Sequence, residues 1–212
     1  MMIRRTFLQL AGASALAAPV ILPAVTRAAG PAVARAAGPA ITRAAGPAGA
    51  FAFSFETLER KTGAIALAEF AGRPTLVVNT ASKCGYAPQY AGLEALWRTY
   101  GARGLTVVGA PSRDFGAQEY SDEAKIAAFC ATTYAVEFPL TELVKVKGPD
   151  AHPFYLWARG EAERRDLPTP RWNFHKYLIG PDGALAAAWG TSTVPRDAKI
   201  VAAIEALLPA KS

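Results

Sequence analysis

The stretch TLVVNTASKCGYAPQYAGLEALWRTYGARGLTVVGA, residues Thr75 to Ala110, decides the fold. It opens on a short apolar run, Thr75 to Thr80, of the kind that makes a central strand covered on both faces. It closes on a second such run, Leu105 to Ala110. Between them Tyr90, Leu93, Leu96, Trp97 and Tyr100 recur at helical spacing. Pro88 falls in the first helical turn, where a missing N–H leaves no bond unmade. A strand, a helix and a second strand follow one another, and a cysteine, Cys84, stands in the loop that feeds the helix.

Downstream, Ser121 reads as a helix N-cap, with Asp122 and Glu123 in the first turn. Ile126, Phe129, Cys130 and Tyr134 form that helix's apolar stripe. A third helix is expected from about Pro153 to Arg159. Tyr177 to Ile179 and Leu185 to Trp189 flank Gly180-Pro-Asp-Gly183, a turn signal that predicts an antiparallel hairpin. A last helix is expected over about 197–208. Upstream, Phe51, Phe53 and Phe55 alternate with small or polar residues and predict a strand with one buried face. The expected order is β, β, α, β, α, α, β, β, α. That order belongs to the α/β class and suggests a thioredoxin-like α/β sandwich, a mixed central sheet flanked by helices.

The N-terminal quarter has a different composition. Arg4-Arg5-Thr-Phe-Leu8 precedes an uncharged apolar stretch, roughly Leu8 to Val25. This resembles a twin-arginine export signal, with Ile3 where Ser or Thr usually stands. Pro19, Pro23 and the many small residues make the stretch a poor membrane anchor. Residues 25–48 repeat an octamer three times: VTRAAGPA, VARAAGPA, ITRAAGPA. Such segments offer little apolar surface to bury and read as a disordered linker. Ala34-Arg35-Ala36 and Thr26-Arg27-Ala28 both suit signal cleavage, so the site stays open within 28–45. The expected organisation is a signal over 1–28, a linker over 29–50 and one domain over 51–212. Export by the twin-arginine machinery, to the periplasm or another extracytoplasmic space, follows as an expectation, with no stable membrane insertion after cleavage.

A formal charge of +6 invites a nucleic-acid reading, and its distribution removes it. Residues 1–50 hold five arginines and no acidic residue, which leaves 18 basic against 17 acidic residues in 51–212. The folded part is close to neutral, so no nucleic-acid partner is expected. A hydrophobic fraction of 51% supports a true core. Two cysteines, Cys84 and Cys130, are too few for a disulfide scaffold or a structural zinc site, but enough for a redox pair. Two histidines add little metal-binding capacity. Cys84 is expected to meet the free N–H groups at a helix start, with Lys83 as a neighbouring charge. Both favour the thiolate, the nucleophilic form. The competing reading is an inert, packed cysteine at a strand end.

Asn79-Thr-Ala-Ser-Lys-Cys84-Gly-Tyr86 resembles the peroxidatic motif of the glutathione peroxidases, in the version with cysteine rather than selenocysteine. The resemblance continues in order through Gly109-Ala-Pro111, Asp114-Phe-Gly-Ala-Gln-Glu119, Phe129-Cys130, Phe138-Pro139, Gly148-Pro-Asp-Ala-His-Pro153 and Trp172-Asn-Phe-His-Lys-Tyr-Leu178, covering about 51–210. It implies a thioredoxin-type fold and a thiol-dependent peroxidase acting on hydrogen peroxide and organic hydroperoxides. No bound cofactor is implied. Electrons would come from an external thiol, glutathione or a thioredoxin-like dithiol protein.

In that family a Cys, a Gln, a Trp and an Asn surround the peroxide. Cys84, Trp172 and Asn173 match directly, and indole and amide N–H groups suit donation to a thiolate and a leaving oxygen. At the glutamine position the reading places Asp114, within Pro111-Ser-Arg-Asp-Phe-Gly116. An ionised Asp114 would accept but not donate, and would repel the thiolate unless Arg113 offset it. A slower or pH-shifted enzyme is the expectation, improved by Asp114→Gln. Cys130 resembles the resolving cysteine of thioredoxin-dependent members, and its helix would have to unwind for the sulfurs to meet. His152 is expected to cap or pack, and His175 to face solvent or the rim. Two alternatives stay open: a thiol–disulfide oxidoreductase, which the missing C-x-x-C disfavours, and a peroxide-sensing domain with weak turnover.

Overall fold

The computed structural model describes residues 49–58 and 63–210. The expected signal, the cleavage sites and the octamer repeats lie outside the described residues. The fold begins earlier than the composition shift indicates. Residues Gly49–Ala52 make a 3-10 turn, Ala50 is fully buried, and its N–H donates to Gly183 O at 2.8 Å. Gly49 has φ +63°, and a Cβ there would lie 2.3 Å from Gly183 O, so only glycine fits.

Phe51 and Phe53 therefore do not extend a strand. Strand β1 is only Ser54–Glu56, with Phe55 inward. It pairs antiparallel with β2, Ala64–Ala66, a strand that its Ala-Ile-Ala sequence does not announce. β3 (Thr75–Thr80), β4 (Thr106–Pro111), β5 (Lys176–Ile179) and β6 (Leu185–Trp189) form one sheet in the order β4-β3-β5-β6. β3 and β4 run parallel; β5 is antiparallel to β3 and to β6. The helices are α1 (Gln89–Tyr100), α2 (Glu123–Tyr134), α3 (Pro153–Arg164) and α4 (Ala198–Leu207).

The sheet alternates its side chains between two apolar layers. Val77, Val108, Tyr177 and Ile179 join Phe55, Ile65 and the Phe154, Tyr155, Ala158 and Ala162 face of α3. Leu76, Val78, Val107 and Leu178 join α1, α2 and α4 through Tyr90, Leu93, Ile126, Ile200 and Ile204. Burial of both faces accounts for strands that read as unbroken apolar runs. Gly109 lets the segment 138–140 close on β4; a Cβ there would stand 2.6 Å from the Leu140 side chain.

Two helix boundaries differ from the sequence reading. Asp122, not Ser121, caps α2: its backbone is extended and its carboxylate accepts from Ala124 N. α3 runs on to Arg164, five residues past the expected end. His152 caps it, with Nδ1 accepting from Phe154 N at 3.3 Å while the ring stacks on Phe55 at 4.2 Å. Burial lowers the His152 pKa, which keeps that nitrogen free to accept. His175 is buried rather than solvent-facing, packed against Tyr177 at 4.5 Å.

Candidate active site

Topology brings the candidate residues to one end of the sheet. β3 and β4 are parallel neighbours, so the loops after Thr80 and Pro111 leave from the same edge. β5 is antiparallel to β3, with Val78 opposite Lys176, so the residues that lead into β5 arrive there too. Three segments far apart in sequence, 81–88, 112–119 and 172–175, thereby converge.

Hydrogen bonds lace them together. Ser112 N donates to Thr80 O at 3.0 Å, and Lys83 N to Gln118 O at 2.8 Å. The buried Glu119 carboxylate accepts from Ser82 N at 3.0 Å and from its neighbour Tyr120 N at 2.8 Å. Burial raises the Glu119 pKa, and those donors oppose the rise. Asn79, next to the end of β3, clamps the third segment: its Nδ2 donates to Trp172 O at 3.1 Å and its carbonyl accepts from Phe174 N at 2.6 Å. Phe174 has φ +62°, a conformation that bulky residues adopt only when their surroundings impose it. That turn reverses the chain between Asn173 and β5.

Cys84 lies in the first of these loops, 4% exposed, a free thiol. Its Sγ accepts from Tyr86 N at 3.5 Å. The donor is a turn N–H, not the helix end, because α1 begins only at Gln89. The Lys83 ammonium lies 4.4 Å over the Tyr120 ring. The hydrogen bond to the sulfur therefore comes from the Tyr86 backbone. Tyr86, 44% exposed, also lines a groove of about 410 Å³ with Trp172, Thr191 and Ser192. Trp172 is 38% exposed and packs on Phe115 with ring centres 6.2 Å apart.

Asn173 is fully buried, and its Nδ2 donates to Gln118 Oε1 at 3.1 Å and to Phe115 O at 3.4 Å. With Oε1 engaged, what Gln118 has left to offer is its Nε2–H₂, a donor. The residue that supplies an amide beside Asn173 is thus Gln118, four positions after the one singled out in sequence. Asp114 is elsewhere engaged: its Oδ2 accepts from Val146 N at 2.6 Å and Lys147 N at 3.0 Å. It braces the 144–148 segment, so the reading that put Asp114 in the place of the family glutamine is corrected. The signal was present in Asp114-Phe-Gly-Ala-Gln118-Glu119, which holds a glutamine of its own.

Cys130 sits on α2, 1% exposed, in the same apolar cluster as Cys84. Burial raises its pKa to about 11, against a weaker opposing effect from the Tyr90 hydroxyl, and the nearby Glu119 raises it further. Near neutral pH it is a thiol. Among the described residues no cluster of three or more metal-ligating side chains occurs, and no helix is long and apolar enough to cross a membrane.

The family model described as Glutathione peroxidase matches residues 52–159, which include Cys84, Gln118 and Cys130. A hydroperoxy fatty acid reductase of Synechocystis is 40% identical over 164 residues, 74% of this chain and 95% of that protein. A glutathione peroxidase-like peroxiredoxin of Chlamydomonas reinhardtii is 37% identical, covering 66% of this chain and 85% of that protein. Among solved structures, Trgpx in its apo form superposes with a TM-score of 0.58 at 32% identity, over 76% of this chain and 99% of that one. A thiol:disulfide interchange protein of Chlorobium tepidum shares the thioredoxin-like fold, with a TM-score of 0.51 at 15% identity over 74% of this chain and 93% of that one.

Proposed function

This chain belongs to the glutathione peroxidase family, and from that premise we propose how its own residues reduce a peroxide with thiol electrons. The observation that carries the proposal is the Cys84 sulfur, bonded to Tyr86 N–H, at the sheet end where Gln118, Trp172 and Asn173 converge. The Cys84 thiolate attacks the nearer peroxide oxygen. The O–O bond breaks, sulfur is oxidised to the sulfenic acid, and the other oxygen leaves as alkoxide or hydroxide and takes up a proton. The Gln118 amide and the Trp172 indole N–H are the donors assigned to that leaving charge. Asn173 holds Gln118 so that its N–H₂ is free.

Cys130 then attacks the sulfenic sulfur, water leaves, and a Cys84–Cys130 disulfide remains. A dithiol reduces it. Hydroperoxide and two thiols become alcohol, water and one disulfide. Cys130 is buried within α2, and we infer that this helix opens for the sulfurs to meet; an external dithiol protein is the proposed donor. After one equivalent of hydrogen peroxide, mass spectrometry is expected to find the Cys84–Cys130 linkage. NADPH-coupled turnover with thioredoxin and with glutathione, beside a Cys84→Ser control, identifies the donor. Turnover that survives Cys84→Ser overturns the mechanism. The thiol–disulfide oxidoreductase alternative has no support beyond shared fold, since Ala87 and Pro88 follow Cys84 where a close second cysteine would stand.

We also propose that the twin-arginine-like leader exports the domain already folded. The Arg4-Arg5 pair, the uncharged stretch behind it and the two A-x-A-like sites support this reading. Replacing Arg4 and Arg5 by Lys is expected to hold the full-length protein in the cytoplasm; unchanged export of that variant removes the reading.

A further inference from the structure

Lys176 is a fully buried lysine with no carboxylate bonded to it among the described residues. Its Nζ donates to Gln89 Oε1 at 2.5 Å and to Thr193 O at 2.6 Å. Burying an ammonium against neutral acceptors is unfavourable, and a methionine of similar length would fill the same space without that penalty. Desolvation accordingly pushes the Lys176 pKa down to about 7. The expense has a structural counterpart. Gln89 Nε2 donates onward to Thr191 O at 2.7 Å, so β5, the first residue of α1 and the loop after β6 are tied at one point. Thr191 Oγ1 in turn donates to Asn173 O at 2.7 Å. Thr191 and Ser192 also line the groove with Tyr86 and Trp172. The tie therefore reaches both sides of the candidate site: the turn that carries Cys84 leads straight into Gln89, and Asn173 orients Gln118.

We propose that Lys176 is a positioning residue for the peroxide step: through Gln89 and Thr191 its Nζ holds Asn173 and the groove wall in register with the Cys84 turn. It touches neither peroxide nor sulfur, and the proposal rests on Cys84 being the reacting atom. The test measures two half-reactions on the full chain. One is oxidation of reduced enzyme by hydrogen peroxide, followed by stopped-flow fluorescence; the other is reduction of the Cys84–Cys130 disulfide by dithiothreitol. In Lys176→Met, oxidation is expected to slow about tenfold or more, since small misplacements of reacting groups have effects of that size. Disulfide reduction is expected to keep its wild-type rate. Gln89→Leu and Thr191→Val break the same tie with Lys176 in place, and are expected to slow oxidation too. Adding Thr191→Val to Lys176→Met is expected to change little further, the mark of a shared path.

Ile204→Ala in α4, a core truncation outside the Lys176–Gln89–Thr191 tie, is expected to lower the melting temperature and leave oxidation unchanged, and is the control for stability alone. Oxidation within twofold of wild type in Lys176→Met, or equal slowing in Ile204→Ala, overturns the inference. Should Lys176→Met not fold, wild-type oxidation rates in both Gln89→Leu and Thr191→Val overturn it equally. A wild-type enzyme in which peroxide does not oxidise Cys84 overturns the mechanism beneath it as well; rapid wild-type oxidation with an unaffected Lys176→Met overturns the role of Lys176 alone.

Discussion

The two cysteines share one apolar cluster yet sit in opposite kinds of backbone. Cys84 lies in a chain of turns after a strand, where an N–H that no helix or sheet claims can reach its sulfur. Cys130 lies mid-helix, where the local backbone N–H groups are spent on the helix and its thiol is driven toward a pKa of about 11. Burial drives the Cys130 thiol up, whereas the Cys84 sulfur accepts a hydrogen bond from the Tyr86 N–H. In the proposed mechanism the loop sulfur reacts first and the helical sulfur waits.

The largest effects follow from exchanging those roles. Cys84→Ser is expected to lower peroxide consumption to the uncatalysed background. Cys130→Ser is expected to keep the first, stoichiometric oxidation and lose dithiol-driven turnover; full turnover without Cys130 would break the contrast. Next come the donors. Gln118→Leu and Trp172→Phe are each expected to slow Cys84 oxidation on the order of 10²-fold, the usual effect of removing one donor to a developing negative charge. Asp114→Ala is expected to leave that rate near wild type while lowering stability by about 1–3 kcal/mol, because two backbone N–H groups lose their acceptor. A reversal of these outcomes would return the site to Asp114.

The third prediction concerns pH. The folded Cys130 thiol has a raised pKa, about 11 against an ordinary 9.0, so between those values the folded chain holds a proton that the unfolded chain has released. The stability that the neutral thiol permits is present below pH 9 and is lost as pH rises from 9 toward 11, at up to about 1.4 kcal/mol per pH unit. Thermal melts of wild type against Cys130→Ala are expected to converge or cross over that window. The smallest effect tests the opening of α2. Ala135, its C-cap, has φ +49°, so Ala135→Gly relieves left-handed strain and is expected to stabilise the helix end by about 1 kcal/mol. Disulfide formation is then expected to slow about fivefold while Cys84 oxidation is unchanged. Equal rates would mean that α2 does not need to open.

Much of the frame was legible because it rests on local pattern. The β3–α1–β4 unit, the Gly180–Gly183 hairpin and the last helix carry their own periodicity and turn residues. The failures have local causes too. β2 is three residues of Ala-Ile-Ala, too short for alternation to register. The strand expected from Phe51 and Phe53 dissolves into a turn because Ala50 is pinned to Gly183, 133 positions away in the chain. His175 reads as an outward residue in an alternating strand, but it precedes β5 on a turn strained at Phe174, which inverts the facing.

By itself, then, the sequence determined which residues have the chemistry: a thiol after a strand, a second thiol on an apolar helix stripe, and an indole with an amide beside it. These are properties of residue type and short-range spacing. Which amide serves the site, and what holds it there, was decided only in three dimensions. Parallel β4 and antiparallel β5 deliver Gln118 and Asn173 to the same sheet end as Cys84, and send the Asp114 carboxylate to the N–H groups of Val146 and Lys147. Strand direction sets which loops meet, and no spacing along the chain encodes it.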